Sequence, residues 1–338
     1  MVGGRAKEYK TVWFEKSNVC LIDQRLLPHE FKIFVSDRFW KTCAAIKEMV
    51  VRGAPAIGAT AAYGMAQAAG EYNGNNVVKF RKHMLLAEEL MKSTRPTAYD
   101  LFYAVDYVLD KVIDSGSVGG AKLTAEKASM DYTLASEETC RKIGVNGEKL
   151  IKNNSNILTH CNAGALACVD YGTALAPIRL AHQKKKKIHV FVDETRPRLQ
   201  GMKLTSWELL QEGIPHSIIV DNAAGYYMHK GEVDLVIVGA DRIARNGDVF
   251  NKIGTYEKAV LAKENGIPFY VAAPTSTFDP KMKRGDYKVI EERSEDEVLC
   301  LDDELIALKG SKARNPSFDI TPRKYITGVI TEKGVKKY

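Results

Sequence analysis

The spacing of apolar residues changes near the middle of the chain. Residues 10–23 have the pattern of two short strands around a turn at 15–18, and residues 36–113 repeat apolar positions every three or four residues, as helices do. From residue 156 onward, near-continuous Val/Ile-rich runs alternate with helix-forming segments, which is typical of parallel strands buried on both faces. We therefore predict an α/β protein with an N-terminal small β-hairpin plus helical domain and a C-terminal Rossmann-like doubly wound, mostly parallel sheet.

The Gly/Ser-rich stretch at 114–120 (DSGSVGG) is the best candidate for a linker. A long helical segment follows at 122–153, with a predicted break near its glycines at 144–147. We predict an N-terminal hairpin and helical domain at 1–118, a connecting helical segment at 119–153 and a Rossmann-like domain at 154–338.

Polar residues follow each of five strand-like runs, although a buried strand itself needs none. Because the carboxyl ends of parallel strands share one edge of a sheet, these residues are expected to line one crevice, where open α/β folds bind ligands. One such residue is explained as a cap or a turn former, but five groups together predict an active site. The groups are His160 with Cys161, residues 193–201 (DETRPRLQG), residues 221–225 (DNAAG), residues 239–242 (GADR) with 251–255 (NKIGT), and residues 273–279 (APTSTFD).

Cys161 is the best-placed reactive group in the chain. It follows a strand-like run at 157–160 and precedes a small-residue turn, residues 162–164, that is predicted to open a helix. A helix N-terminus would lower the pKa of a thiol and would stabilise an anion. The alternative is a buried free cysteine that packs as a small hydrophobic residue, which is our interpretation of Cys168.

Asp241 follows the most apolar strand-like run, residues 233–240. Burial at that position would raise the pKa of its carboxyl and make it a general acid or base at neutral pH. The neighbouring Arg242 would cancel this effect if the two side chains pointed the same way.

Two loops interrupt the helical region. Residues 52–58 (RGAPAIG) end one helix and start the next, with Pro55 in the expected first turn. Free N–H groups beside Arg52 are an arrangement that binds phosphate, and the alternative is a plain corner between helices. In the second loop, Arg95 is either a fork for phosphate or carboxylate or a surface charge, and Thr97 is a candidate helix cap.

The composition of the chain mainly excludes classes of protein. The 338 residues carry a formal net charge of +7 and are 45% hydrophobic, as in an ordinary soluble globular protein. No apolar run has the length of a membrane span or the form of a signal peptide, which predicts a cytoplasmic protein with no membrane partner. The six cysteines are scattered and have neither disulfide-framework nor zinc spacing. Without a nucleic-acid motif or GxGxxG, we expect a small anionic substrate, no nucleic acid and no dinucleotide.

Eight segments stand in order along nearly the whole chain: RGAPAIG (52–58), TRPT (94–97), THCNAGALA (159–167), DETRPRLQG (193–201), DNAAG (221–225), VGADRIARNGDVFNKIGTY (238–256), AAPTSTFD (272–279) and NPSFDITP (315–322). Together they resemble the methylthioribose-1-phosphate isomerases, which share a superfamily with the regulatory subunits of translation initiation factor 2B. The resemblance implies interconversion of 5-methylthioribose 1-phosphate and 5-methylthioribulose 1-phosphate in methionine salvage. It also implies a helical N-terminal domain, a Rossmann-like C-terminal domain and a homodimer.

The resemblance places the catalytic pair on Cys161 and Asp241. Asp241 is expected to be the acid/base, and Cys161 either a second proton carrier or a stabiliser of a charged intermediate. The set requires no metal and no organic cofactor. Arg245 and Phe250 depart from the family's pattern, in which small residues stand at these positions. The implied contacts with substrate and phosphate fall on Arg52, Gly53, Ala54, Arg95, Gln200, Asn251 and Lys252.

Two other functions remain as alternatives. An isomerase of another sugar 1-phosphate, such as ribose 1,5-bisphosphate, would share Cys161 and Asp241, and an extra cationic group near the substrate's C5 would favour it. A regulatory binding subunit of the translation factor type, with nucleotide or protein partners and no catalysis, is expected to lack the catalytic pair. The complete RGAPAIG and THCNAGALA segments favour the methylthioribose enzyme.

Overall fold

A computed structural model of the chain describes residues 10–96, 98–302 and 304–337. The described chain divides into two compact units. The first takes the chain as far as Glu138 together with Ala165–Gly172, and the second takes Thr139–Gly164 and the chain from Thr173 onward. The predicted domain limits at residues 118 and 153 stay a prediction. The division between the two compact units lies within the long helix α5 (Val118–Glu148).

The first unit begins with the predicted hairpin. Strands β1 (Val12–Glu15) and β2 (Asn18–Ile22) pair antiparallel, and the turn residues Lys16 and Ser17 have φ of 50° and 66°. Two consecutive positive φ angles match the twist of a two-residue hairpin. A third strand, β3 (Ile33–Ser36), pairs with β2 and was not predicted, because four residues next to a helical pattern give too short a signal.

Helices form the rest of the first unit, and they cover the segment predicted to be helical. The core of the unit forms around one nearly all-buried helix, in which Ala and Gly predominate. A helix that is apolar on all sides is expected at the centre of a bundle. The helices are α1 (Phe39–Lys47), α2 (Ala54–Glu71), which is the central one, α3 (Val77–Ser93), α4 (Tyr99–Val112) and the first part of α5.

The second unit contains a seven-stranded sheet with helices on both faces. Counted in chain order, its first six strands are parallel, and only the seventh runs antiparallel to its neighbour. In spatial order the sheet is β16-β15-β10-β7-β4-β5-β6. The strands are β4 (Ser155–Thr159), β5 (Ile188–Asp193), β6 (His216–Ile219), β7 (Leu235–Val238), β10 (Phe269–Ala272), β15 (Gly328–Thr331) and β16 (Gly334–Lys337).

Two hydrophobic clusters separate the sheet from its helices. Ile157 of β4 belongs to the cluster with α6 (Leu175–Gln183) and α7 (Ser206–Gln211). Its neighbour Leu158 belongs to the cluster with α8 (Ala224–His229) and α9 (Thr255–Glu264). Consecutive strand residues point to opposite faces, so both faces of the sheet are covered. The predicted Rossmann-like doubly wound sheet is confirmed.

A second, four-stranded sheet was not predicted. It has the order β11-β8-β9-β14 and a small core of Ala244, Phe250 and Ile320. Its strands are β8 (Arg242–Ala244), β9 (Val249–Lys252), β11 (Phe278–Asp279) and β14 (Phe318–Thr321). The short helix α10 (Asp296–Leu299) and the hairpin of β12 (Cys300–Leu301) and β13 (Glu304–Leu305) precede its last strand.

The predicted helix directly after residues 162–164 is wrong. The chain forms only a 3₁₀ turn, Ala165–Ala167, and the next α-helix begins at Leu175. Residues 165–172 pack in the first unit, where Thr11 Oγ1 donates to the Ala165 carbonyl (2.7 Å) and Gln24 Nε2 donates to the Leu166 carbonyl (2.7 Å). These long-range hydrogen bonds replace the ones a helix would have supplied.

The predicted break in the long helix is also wrong. Helix α5 runs through Gly144 and Gly147, where a Cβ would lie 2.8 Å from Leu180 Cδ1 and 2.5 Å from Pro177 Cγ, respectively. These glycines therefore allow α5 to pack closely on α6. No helix in the described part of the chain is long and apolar enough to cross a membrane.

Candidate active site

The strand order of the second unit brings the two predicted catalytic residues to one place. Read from β6, the parallel strands follow the order β6-β5-β4-β7-β10-β15, so the chain reverses direction across the sheet between β4 and β7. Ligands of open α/β folds bind at the carboxyl ends of strands at such a switch point. Cys161 follows β4 after one residue and Asp241 follows β7 after two, and β4 and β7 are paired. The two side chains therefore leave neighbouring strands at the switch point.

Cys161 is half-buried and has a left-handed backbone, with φ of 62°. Its N–H donates to Thr195 Oγ1 (2.8 Å), and its carbonyl accepts from Thr205 Oγ1 (2.7 Å). Thr195 itself has φ of 64° and donates to the Asp193 carbonyl (3.1 Å). A non-glycine residue keeps this conformation only where its surroundings fix it. The two threonines fix it here.

The turn after Cys161 is held by Glu208 of α7. Asn162 Nδ2 donates to Glu208 Oε1 (2.7 Å) and to Thr205 Oγ1 (3.1 Å). A Cβ on Gly164 would lie 2.3 Å from Glu208 Oε2. The small residues that were read as a helix start therefore serve this turn, and the helix-dipole argument for the Cys161 thiol no longer applies.

Asp241 is half-buried at the start of the four-stranded sheet. Its N–H donates to the Phe250 carbonyl (2.9 Å). The neighbouring Arg242 places its guanidinium 3.7 Å from Asp279 Oδ2, so this cation has a carboxylate of its own. Phe250 packs in the small core of the sheet, and Arg245 is exposed. The size of Phe250 is thus explained by packing.

Three predicted substrate contacts also belong to the second unit. Gln200 is 8% exposed, and its buried Oε1 has no hydrogen-bond partner among the described residues. Asn251 and Lys252 end β9: Asn251 Nδ2 donates to Thr255 Oγ1 (3.0 Å), and Lys252 Nζ donates to the Ser317 carbonyl (2.9 Å). An unsatisfied buried acceptor is what a ligand hydroxyl would pair with.

The other predicted contacts belong to the first unit. Gly53 is the N-cap of α2, Ala54 is its first residue, and Pro55 lies in the first turn as predicted. Gly53 has φ of 90°, and a Cβ on it would lie 2.4 Å from the Ala167 carbonyl oxygen. The start of an 18-residue helix beside Arg52 is a suitable anion site. Arg95 is half-buried between α3 and α4, and Thr97 lies outside the described residues.

A buried cluster of charged residues lies behind the Cys161 end of β4, and no short-range sequence signal identifies it as a group. We call His160, Asp193, Lys258 and Asp319 the polar cluster. His160 Nδ1 is 2.8 Å from Asp193 Oδ2, and His160 Nε2 is 2.8 Å from the Ile253 carbonyl. Lys258 Nζ is 3.7 Å from Asp193 Oδ2.

Burial affects the two carboxyl groups of the polar cluster most. It raises the pKa of Asp193, although His160 and Lys258 lower it in part. It raises the pKa of Asp319 to about 6, against the effect of hydrogen bonds from the N–H groups of Tyr256 and Gly254. The helix α9 buries Thr255, Lys258, Ala259 and Ala262, a spacing that could have identified Lys258 as an inward residue.

One group of three potential metal ligands stands among the described residues: His160, Asp193 and Asp221. His160 and Asp193 already bond each other, and the Lys258 ammonium lies 3.7 Å from the same Asp193 oxygen. A metal ion there would be repelled by that ammonium. The prediction that no metal is needed stays a prediction.

Comparison with known proteins identifies the family. The sequence model of the initiation factor 2 subunit family matches residues 50–337. The chain belongs to that family. A methylthioribose-1-phosphate isomerase of Acetivibrio thermocellus is 53% identical over 320 residues, which cover 93% of each chain. The resemblance found in the sequence motifs is therefore confirmed.

Two solved structures are similar over almost the whole chain. One is a 5-methylthioribose 1-phosphate isomerase from Pyrococcus horikoshii OT3, with a TM-score of 0.91 and 41% identity, covering 98% of this chain and 93% of that one. The other is described as translation initiation factor eIF-2B, subunit delta, from A. fulgidus, with a TM-score of 0.87 and 42% identity, covering 97% and 96%. The fold of the chain is thus shared by a protein named as a 5-methylthioribose 1-phosphate isomerase and by one named as a translation factor subunit.

Proposed function

We propose that the protein is an aldose–ketose isomerase that converts 5-methylthioribose 1-phosphate to 5-methylthioribulose 1-phosphate. The observation that carries the proposal is the position of Cys161 and Asp241 after β4 and β7, the paired strands at the switch point. A thiol and a carboxyl at this edge are the groups expected of an enzyme, whereas a binding subunit is expected to lack them. The names of the similar isomerases support the same reaction.

The chemistry requires a general acid because the substrate is phosphorylated at its anomeric carbon. Such a sugar cannot open to a free aldehyde, so the ring C1–O bond must break while its oxygen takes a proton. The C2 hydroxyl loses a proton as C2 becomes the carbonyl, and the hydrogen on C2 moves to C1. The reaction is internally balanced and consumes no other reactant.

We assign the acid/base role to Asp241, whose half-buried carboxyl follows a fully buried strand. Cys161 acts as a second proton carrier or as a stabiliser of the charged intermediate. Gln200 offers its unpartnered Oε1 to a sugar hydroxyl. For the phosphate, we assign Arg52, Arg95 and Lys252 and the N–H groups of Gly53 and Ala54 at the start of α2. Asn251 is assigned to substrate binding.

Turnover with two substrates tests the reaction. Purified protein is assayed with 5-methylthioribose 1-phosphate and with ribose 1,5-bisphosphate, beside Cys161→Ser and Asp241→Asn. Each variant is expected to lower kcat by about 100-fold or more, the usual worth of a positioned acid–base group. Cys300→Ser is the matched control, since Cys300 is also half-buried in the second unit.

The outcomes separate the three functions. Fast conversion of the methylthio sugar, lost in Cys161→Ser and kept in Cys300→Ser, supports the proposal. A preference for the bisphosphate would assign the same chemistry to another sugar. No turnover of either sugar would leave the regulatory binding subunit as the explanation.

We infer a homodimer in the cytoplasm and no nucleic-acid partner. The absence of a membrane-crossing helix among the described residues is consistent with this location. Sedimentation at micromolar concentration tests the oligomer, and a monomer there would contradict the inference.

A further inference from the structure

The hydrogen bonds of His160 fix the number of protons that it shares with Asp193. The Ile253 carbonyl oxygen can only accept, so Nε2 of His160, 2.8 Å away, carries a proton. The contact of 2.8 Å between Nδ1 and Asp193 Oδ2 needs a second proton, which belongs either to the ring or to the carboxyl. The pair is therefore an imidazolium with a carboxylate, or a neutral ring with a carboxylic acid.

Lys258 is the residue that decides between these two states. Its side chain has no exposure, and its Nζ has no hydrogen-bond partner among the described residues. A buried ammonium is costly unless a carboxylate compensates its charge. Asp193 Oδ2, which is fully buried and 3.7 Å away, is the nearest such group, whereas Glu257 at the same distance is half-exposed. The ammonium thus favours the ionised form of Asp193, which leaves both protons on His160.

The pair connects two segments that carry proposed site residues. His160 is bonded through the chain to Cys161, and through Nε2 to the Ile253 carbonyl, which directly follows Asn251 and Lys252. The Asp193 carbonyl also accepts from Thr195 Oγ1, which in turn accepts from the Cys161 N–H. The proton on Nε2 is therefore what holds the end of β4 to the end of β9.

Two further carboxylates lie near the His160–Asp193 pair, and neither compensates the charge of Asp193 as Lys258 does. Asp221 Oδ1 is 3.9 Å from His160 Nδ1, but its carboxylate already accepts from the N–H groups of Thr195 and Arg196. Asp319 Oδ2 accepts from the N–H groups of Gly254 and Tyr256. Both add negative charge beside His160, which also favours an imidazolium.

We propose that Lys258 is a positioning residue for the isomerisation. Its buried ammonium keeps Asp193 ionised and His160 doubly protonated. The imidazolium then donates a charge-assisted, and therefore stronger, hydrogen bond from Nε2 to the Ile253 carbonyl beside Asn251 and Lys252 than a neutral ring would. Lys258 acts through Asp193 and His160 and touches no reacting atom. The effect on turnover rests on the proposed function, but the protonation of His160 does not.

Nitrogen-15 NMR of protein labelled in its histidines measures the protonation directly. At pH 8 both ring nitrogens of His160 are expected to be protonated, which gives two similar shifts, and the signals are assigned by their loss in His160→Gln. In Lys258→Met, Nδ1 is expected to lose its proton to Asp193 and to become strongly deshielded while Nε2 keeps its proton. A wild-type ring with unprotonated Nδ1, or an unchanged ring in Lys258→Met, would overturn the proposal.

A double-mutant cycle measures the coupling between Lys258 and Asp193. Lys258→Met is expected to lower kcat/KM by about 10-fold, within the range that small misplacements of reacting groups cost. In an Asp193→Asn background, where no carboxylate remains to be kept ionised, the same substitution should cost less than about twofold, because residues in one network are not additive. Equal losses in the two backgrounds would show that Lys258 acts otherwise.

Lys263→Met is the matched control, since Lys263 is exposed on the same helix. It should leave both turnover and the His160 signals unchanged. If wild-type protein turned over neither sugar, the proposed function would fail while the NMR measurement still tested Lys258. Normal turnover with an unchanged ring in Lys258→Met would instead refute the role of Lys258 and leave the function standing.

Discussion

At the scale of single residues, several residues in the predicted site segments of the two units have backbone conformations that most residues avoid. Gly53, Cys161, Thr195 and Leu199 all have positive φ angles, between 58° and 90°. Three of these four are not glycine, and Thr195 is β-branched, which makes its conformation a genuine outlier. Such outliers cluster where a fold must hold functional groups in one geometry.

Gly53 gives the sharpest prediction at this scale. Gly53→Ala should lower the free energy of unfolding by about 2 kcal/mol or more, because a left-handed backbone disfavours a Cβ and the new atom would meet Ala167. Turnover should also fall, since the start of α2 would move. Urea unfolding and a steady-state assay measure the two effects.

Gly70→Ala is the control on the same helix. Gly70 is exposed near the end of α2, and a Cβ there would meet no atom within 4 Å. Alanine should stabilise the helix by up to about 1 kcal/mol and leave turnover unchanged. If the two alanine variants had the same stability, the close packing of Gly53 on Ala167 would not be important.

At the scale of elements, local pattern was sufficient to predict the strands and insufficient to predict the segments after them. The Val/Ile-rich runs correctly predicted β4, β5, β6, β7 and β10, because strands buried on both faces have a strong composition signal. The segment after Gly164 has helical composition, yet it packs in the first unit through hydrogen bonds to Thr11 and Gln24. Partners more than a hundred residues away have no trace in the local sequence.

Local pattern also failed to predict which charged residues of a helix or strand are buried. Lys258 sits within a segment, TYEKAVLAKE, that has the composition of a solvent-exposed helix. Only its spacing from Thr255, Ala259 and Ala262 places it on the buried side. The strand β9, which carries Asn251 and Lys252, was similarly missed because its neighbour β8 has only three residues and its other partner, β14, is distant in sequence.

A substitution at Thr195 tests how the surrounding elements fix the backbone of Cys161. Thr195→Val keeps the shape of the side chain but removes the hydroxyl between the Cys161 N–H and the Asp193 carbonyl. Two buried main-chain groups would lose their partner, which should cost about 1–3 kcal/mol of unfolding free energy. We also expect kcat to fall by about 10-fold, because the Cys161 backbone is no longer fixed.

Thr195→Ser separates the hydroxyl from the side chain's shape. Serine keeps both hydrogen bonds and removes the methyl group that makes a positive φ costly, so turnover should stay near the wild-type value. Thermal unfolding and the steady-state assay compare the two variants. Equal turnover in the valine and serine variants would show that the hydroxyl does not position Cys161.

At the scale of the whole molecule, the site depends on the order in which the strands pair, which is harder to predict from the sequence than the strands themselves. Parallel strands could be predicted, and their ends were expected to share one edge. The adjacency of Cys161 and Asp241 follows only from the pairing of β4 with β7, two strands separated in sequence by β5 and β6. No local pattern specifies that pairing. Local pattern identified Cys161 and Asp241 one at a time, and their assignment as a catalytic pair rested on the family's motifs.

Stability as a function of pH is a whole-molecule property to which Asp319 makes a definite contribution. Its pKa is about 6 in the folded protein against 3.8 for an unperturbed aspartate, chiefly because of burial. The folded state therefore binds this proton more tightly than the unfolded state does. The contribution of Asp319 to stability is greatest at low pH and is lost as pH rises through the window from 3.8 to about 6.

Asp319→Asn removes this titration while keeping an oxygen that accepts from the N–H groups of Gly254 and Tyr256. Any constant cost of the amide cancels when the same two proteins are compared at two pH values. The stability of the variant relative to wild type should therefore increase by about 2 kcal/mol between pH 4.5 and 7.5. Urea unfolding at several pH values measures the difference.

The control is Asp234→Asn, because Asp234 is exposed and accepts one main-chain hydrogen bond, from the Asn156 N–H (2.8 Å). The stability of this variant relative to wild type, followed over the same range, gives the effect of removing an exposed carboxylate. A flat difference for Asp319→Asn would mean that the folded protein does not desolvate Asp319. Solvent would then screen the attraction between the Asp319 carboxylate and the cations of His160 and Lys258. The negative charge that stabilises the imidazolium of His160 would come from Asp193 and Asp221 alone.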